Sequence, residues 1–93
     1  MPTVTFTRTK STPPVSGEVY IVVDSEGNDN VLMLENGTGR LNLPTGPSAL
    51  IIRFMGAPSS QVDFKLELPS GIKYARIKIP VGNAVITHRN FEV

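Results

Sequence analysis

Three short segments constrain the fold of this chain more than anything else in it. They read Leu43-Pro44-Thr45-Gly46, Leu68-Pro69-Ser70-Gly71 and Ile79-Pro80-Val81-Gly82. Each is an aliphatic residue, a proline, any residue and a glycine. Proline presets φ at the second position of a type I turn, and glycine suits the fourth. Each segment closes a run of extended, alternating sequence. No stretch between them keeps a helical period for more than a turn or two, and β-branched and aromatic residues favour strands. The expected fold is therefore all-β.

The runs between turns assign faces. Thr3 to Arg8 alternates, with Val4 and Phe6 on one side and three threonines on the other. Thr9 to Gly17 is a Pro/Ser-rich crossing. Glu18 to Asp24 is a strand, and Ser25 to Asn30 a polar loop. Val31 to Glu35 and Thr38 to Leu43 flank Asn36-Gly37, the pair that best satisfies the two positive φ angles of a type I′ hairpin. That register sets Glu35 opposite Thr38 and Leu32 opposite Leu41, so Leu32, Leu34, Leu41 and Leu43 share the core face. Ser48 to Met55 buries Leu50, Ile52 and Phe54. Gln61 to Leu68 alternates without a fault, Val62, Phe64, Leu66 and Leu68 inward. In Ile72 to Ile79 the apolar positions change parity, which predicts a bulge near Ala75-Arg76. Asn83 to Val93 is a last strand, also out of step between Ile86 and Phe91. Eight short strands with turns every 8–12 residues predict an immunoglobulin-like or transthyretin-like antiparallel sandwich of seven or eight strands, with a small barrel as the alternative.

Ninety-three residues make one domain with a modest core. The sequence has no cysteine, which excludes disulfides and thiolate metal sites. Nine Lys/Arg against eight Asp/Glu give a net charge of +1, without the basic excess of a nucleic-acid module. No basic-then-apolar leader opens the chain, and no apolar run approaches the ~18 residues of a membrane span. The cytoplasm is the default expectation, with no membrane partner.

The segment Gly39 to Gly56, GRLNLPTGPSALIIRFMG, resembles the central hairpin of transthyretin-like, peptidase-regulatory-like sandwich domains. Gly39, Arg40, Leu41, Leu43, Pro44, Gly46, Leu50, Ile52 and Gly56 match that pattern, whereas Ser48 stands where the family has tyrosine. The resemblance implies a prealbumin-like sandwich serving as a structural, adhesive or accessory module.

Polar clusters nominate little chemistry. Asp24, Glu26 and Asp29, with Asn28 and Asn30, offer calcium several hard oxygens from one loop, but without EF-hand spacing. Calcium is the one cofactor the sequence suggests; the solvated turn is the competing account. His88 is the only histidine, and it has no second base or ligand motif near it. No Gly-x-Ser-x-Gly elbow occurs. Lys73, Arg76, Lys78 and Arg89 make a candidate anion or nucleic-acid surface on the last two strands, with Tyr74 as a stacking platform. Lys73 has the opposite parity to Arg76 and Lys78. These absences argue against an enzyme.

The remaining signal is apolarity on both sides of the middle strands. With Val19, Ile21 and Val23 inward, Tyr20 and Val22 face out, next to Val31 and Met33, and Ile51 and Met55 extend the patch. Exposed apolar patches on small domains mark interaction surfaces. The expected function is a non-enzymatic interaction or structural module, binding a protein or a second copy through that face or through an open edge strand. Calcium binding, or nucleic-acid binding at the basic strands, is the alternative.

Overall fold

Alternation decides which side of each strand is dry, and the pairing then stacks the dry sides. The computed structural model describes residues 1–12, 15–57, 59–78 and 84–93. Among them run eight strands and no helix: β1 (Thr3–Thr12), β2 (Ser16–Val23), β3 (Asp29–Val31), β4 (Thr38–Asn42), β5 (Pro47–Met55), β6 (Gln61–Leu68), β7 (Gly71–Lys78) and β8 (Ala84–Glu92). They form two antiparallel sheets, ordered β4-β1-β6-β7 and β3-β2-β5-β8. The sheets pack face to face and do not close into a barrel. The fold is an eight-stranded sandwich.

The core lies between them. One sheet contributes Val4, Phe6, Val62, Phe64, Leu66, Ala75 and Ile77. The other contributes Tyr20, Val22, Leu50, Ile52, Phe54 and Phe91, and Leu32 and Leu43 close the ends. Two edge-to-face aromatic pairs join the layers: Phe6 with Phe91 at 6.0 Å and Tyr20 with Phe64 at 5.1 Å between ring centroids. Leu34, Leu41 and Leu68 pack against this core while partly buried. The leucine set expected on one face is therefore inward.

Four expectations need correction. First, β2 has the opposite parity to the expected one. Tyr20 and Val22 are buried, while Val19, Ile21 and Val23 face out. All five residues are apolar or aromatic, so period-2 contrast is missing. The register with β5 shifts between Ser16 and Val19, and Gly17 has φ of 64°. The phase of the strand is thus set after an irregularity just upstream.

Second, Asn36-Gly37 does form the two-residue turn, with φ of 53° and 81°. Glu35 and Thr38 exchange backbone hydrogen bonds of 2.8 and 3.1 Å. The arms then separate, β3 pairing with β2 and β4 with β1. The turn is a corner between sheets, and Leu32 does not pair with Leu41.

Third, β7 has no bulge. Its register with β6 runs unbroken from Gly71 to Lys78, so Ile72 and Tyr74 are exposed while Ala75 and Ile77 are buried. β8 is likewise in continuous register with β5. The irregularity sits instead in β1, between Arg8 and Lys10. Fourth, β1 continues to Thr12, into the segment expected to be a crossing. The third Pro-x-Gly turn, with Ile79, and Asn83 lie outside the described residues.

Candidate functional site: the outer face of the second sheet

The two outer faces differ in chemistry. On the β4-β1-β6-β7 sheet the outward side chains include Thr3, Thr5, Thr7, Arg40, Asn42, Asp63, Lys65 and Glu67. Arg76 pairs with Asp63 at 3.1 Å and Lys65 with Glu67 at 3.3 Å. That surface is mostly polar and carries two ion pairs, with Ile72 and Tyr74 exposed on it at the β7 edge, across from Glu67 and Lys65.

The β3-β2-β5-β8 sheet turns an apolar back to solvent. Its register aligns Val31, Ile21, Ile51 and His88 in one row across the four strands. The next row is Asp29, Val23, Ala49 and Asn90. On the other side Val19 lies beside Arg53, and Met33 follows Val31 at the end of β3. Val31 is 62% exposed, Met33 76%, Met55 49% and Val19 36%. Ile21, Val23, Ala49 and Ile51 are half-buried by their neighbours. The expected patch therefore exists with altered membership. Val31 and Met33 belong to it; Tyr20 and Val22 do not, and Val19, Ile21 and Val23 replace them.

Arg53 stands in this face, exposed and without an ion pair or hydrogen bond among the described residues. Its position two residues from Ile51 on an alternating strand made its face legible, but its isolation from any acid was not.

The calcium loop is organised differently from a cation site. Asp24 is buried, and its carboxylate is occupied by the loop itself. Oδ1 accepts from the backbone N–H groups of Glu26 (2.9 Å) and Asn28 (3.0 Å), and Oδ2 accepts from the Asn30 amide (3.1 Å). The Asn30 amide also donates to the carbonyls of Val22 and Asn28. This is the Asx-turn use of aspartate, with the side chain closing the β2–β3 connection. The Asn30 hydrogen bond, opposed by desolvation and helped by the two backbone donors, holds the Asp24 carboxyl below its ordinary range. Glu26 and Asp29 point away into solvent. Among the described residues no three acidic or histidine side chains are placed to share an ion.

The basic residues do not merge into one patch either. Arg76 and Lys78 face outward from β7, and Arg76 is paired with Asp63. Lys73 and Arg89 have inward parity at the open side of the sandwich, where they bond backbone. Leu32 N–H donates to the Tyr20 carbonyl, so in an antiparallel ladder the backbone groups of Tyr20 and Val22 point to β3. Carried across the register, this leaves the backbone groups of His88 and Asn90 on the free edge of β8. Both of those carbonyls are capped, His88 by Arg89 and Asn90 by Lys73. The same alternation, started from Arg8 N–H on the Gly37 carbonyl, puts Arg76 on the free edge of β7. Its carbonyl accepts from Arg89 at 3.2 Å. Two long, regular edge strands lie side by side here, and the cations blunt both of them.

One part-buried polar cluster joins the sheets. Arg8 of β1 forms an ion pair with Glu18 of β2, and the Tyr20 hydroxyl lies beside them, buried and without a hydrogen-bond partner. Burial first, then the Glu18 carboxylate, raises the Tyr20 pKa well above the ordinary 10.0, with Arg8 opposing. Because the folded value is the higher one, the contribution of Tyr20 to stability is intact below pH 10. It falls as pH rises beyond that, since the unfolded chain ionises first. Tyr20→Phe is therefore expected to melt at a higher temperature than the parent at pH 7, because an unsatisfied buried hydroxyl costs about 1–3 kcal/mol. Its loss of stability between pH 9 and 11 is also expected to be shallower. Thermal melts of both chains across that range check the pair of outcomes; a lower melting temperature for Tyr20→Phe at pH 7 would show that the hydroxyl is bonded.

No helix among the described residues is long and apolar enough to cross a membrane. No family model matches the chain, and neither a curated protein nor a solved structure matches it.

Proposed function

We propose that this chain is a non-enzymatic binding module and that its working surface is the outer face of the β3-β2-β5-β8 sheet. One observation carries the reading: Val19, Val31, Met33 and Met55 are each at least 36% exposed on a single face, contiguous with half-buried Ile21, Val23 and Ile51. Contiguous exposed apolar area is avoided on monomer surfaces unless it is used. Methionine at two of the most exposed positions gives the face side chains that adapt to a partner. The opposite face is dominated by threonines and ion pairs, and its two exposed apolar side chains, Ile72 and Tyr74, are confined to the β7 edge and not spread across the strands. A transthyretin-like or immunoglobulin-like ancestry fits this accessory role and adds nothing to the choice of face.

The test is Val31→Lys combined with Met33→Lys. Both side chains are exposed, so the double variant is expected to fold with an unchanged circular dichroism spectrum and a melting temperature within a few degrees of the parent. Proteins retained by the immobilised parent from native lysate, resistant to nuclease and indifferent to calcium, are expected to be lost from the variant at least tenfold. Equal retention on both chains would remove the proposed face. Retention abolished by nuclease would move function to the basic strands, and retention that appears only with calcium to the 24–30 loop.

A further inference from the structure

The apolar face carries two unpaired opposite charges in a self-complementary arrangement. On β2, Val19 pairs with Arg53 of β5, Ile21 pairs with both Val31 and Ile51, and Val23 pairs with Asp29 of β3. Arg53 is thus one strand to one side of Ile21 and one cross-strand pair toward one end. Asp29 is one strand to the other side and one pair toward the other end. Ile21 is the midpoint of the line joining them. Neighbouring strands lie ~4.8 Å apart and residues rise ~3.4 Å each, so the two charges stand roughly 16–17 Å apart across the face.

Both groups are exposed, and neither makes an ion pair or hydrogen bond among the described residues. Of the other carboxylates near the face, Glu18 is committed to Arg8, and Glu92 stands at the far end of β8 beside Pro47, away from the Arg53–Asp29 diagonal. Each charge on this face therefore lacks a partner within the chain.

From this we infer that the occupant of the face is a second copy of the chain, joined to the first by a two-fold axis that lies in the interface and passes over Ile21. The inference rests on the proposed use of this face. A two-fold axis perpendicular to the Arg53–Asp29 diagonal lays Arg53 of each copy on Asp29 of the other. It does so twice, as an isologous contact requires. The same operation brings Ile21 onto Ile21, Val19 toward Val31, and Ile51 toward Val23, so apolar groups meet apolar groups between two flanking ion pairs. No cation is brought onto a cation, and the charge pairs fix the rotation that a purely apolar face would leave free. Four strands of five or so residues give a face on the order of 400 Å² per copy, about half the ~800 Å² per partner of a standard interface. The dimer is accordingly a weak one.

Sedimentation equilibrium of the full chain from about 5 µM to 1 mM reads the association directly. The parent is expected to move from monomer to dimer across that range and to stop at dimer. Arg53→Asp and Asp29→Arg, each alone, are expected to weaken association at least tenfold, by placing like charges together at two points. The double variant carrying both is expected to regain association to within about threefold of the parent. All four chains should share one melting temperature to within a few degrees, because both positions are solvent-exposed. Arg40→Asp, on the opposite face, is expected to change nothing.

A parent that stays monomeric at 1 mM overturns the second copy as occupant. So does a dimer indifferent to both single reversals, or a double variant that fails to recover. These failures are separable from failure of the face itself. If the chain is monomeric but Val31→Lys with Met33→Lys still loses a retained protein, the face stands and its partner is a different chain. A dimer that ignores Arg53→Asp but is lost in Tyr74→Pro is joined through the β7 edge, and both the two-fold and the use of the face in it are wrong.

Discussion

Phe64→Ala is expected to remove about 3–5 kcal/mol of stability, the usual cost of truncating a fully buried phenylalanine. A domain of this length holds roughly 5–14 kcal/mol in total, so the variant sits near the edge of folding at room temperature. Phe64 is fully buried on β6, opposite Ala75 of β7 and Arg8 of β1. Its ring meets the Tyr20 ring edge-to-face, the planes inclined at 74°. Tyr20 is one of the two β2 side chains, with Val22, that face the core. Truncation would open a cavity beneath Tyr20 and beside the Arg8–Glu18 pair, in a place where β-structure on both sides limits collapse. Urea unfolding is the measurement, and the midpoint is expected to fall with little change in m. Tyr74→Ala provides the contrast: at 71% exposure it is expected to cost under ~0.5 kcal/mol. The two aromatics lie on strands in direct register, and Tyr74 pairs with Lys65, the next residue to Phe64. A bulged β7 that turned Tyr74 inward would make the two costs similar, so a Tyr74→Ala loss above about 2 kcal/mol would overturn the register described here.

What could be read from the residues follows contrast. β6 alternates polar and apolar side chains without exception, and its inward set was legible down to each residue. β5 offered Arg53 among six apolar neighbours, which was enough to orient it. β2 offered none: Val19-Tyr20-Ile21-Val22-Val23 is apolar at every position, and its phase follows from the irregularity at Gly17 and from long-range packing, that of Tyr20 on Phe64 spanning more than forty residues of sequence. The candidate surface inherited that error, because Tyr20 and Val22 stood in for Val19, Ile21 and Val23. Ile72 and Tyr74 misled in the opposite way, since they are apolar yet exposed on an edge strand, so an assumed inward role demanded a bulge that does not exist. The Asn36-Gly37 turn was legible as local chemistry. That its arms part into different sheets was not, because the turn alone says nothing about which strands are neighbours. In the Asp24 loop the residue types of a cation site and of a self-capped turn are the same, and only the directions of the donors separate them.

Gly39 is the position where that parting of the arms is most exposed to a single substitution. A Cβ built there would stand 2.5 Å from the Met33 carbonyl oxygen, 2.8 Å from Leu32 Cδ1 and 3.2 Å from Leu34 Cδ2. The leucine methyls can turn away, but the carbonyl belongs to backbone that has just left β3 and cannot retreat without dragging Leu32 out of the core. Gly39 itself is held by pairing with Phe6 of β1, so it cannot retreat either. Gly39→Ala is expected to cost about 2–3 kcal/mol, in the upper part of the range for forcing extra volume into packed structure. Gly39→Val adds two further methyls and is expected to cost more. Each kilocalorie lowers the melting temperature of a domain this size by roughly 4–8 °C, so Gly39→Ala should melt about 10–20 °C below the parent. The displacement also has a functional reading. Pressure on the Met33 carbonyl shifts Met33, and with it the end of the apolar face, while Val31 remains paired to Ile21. Partner retention by folded Gly39→Ala is therefore expected to weaken at temperatures well below its melting point. Full retention together with the lowered melting temperature would mean that Met33 contributes nothing to the surface and that Val31, Ile21 and Ile51 carry it alone.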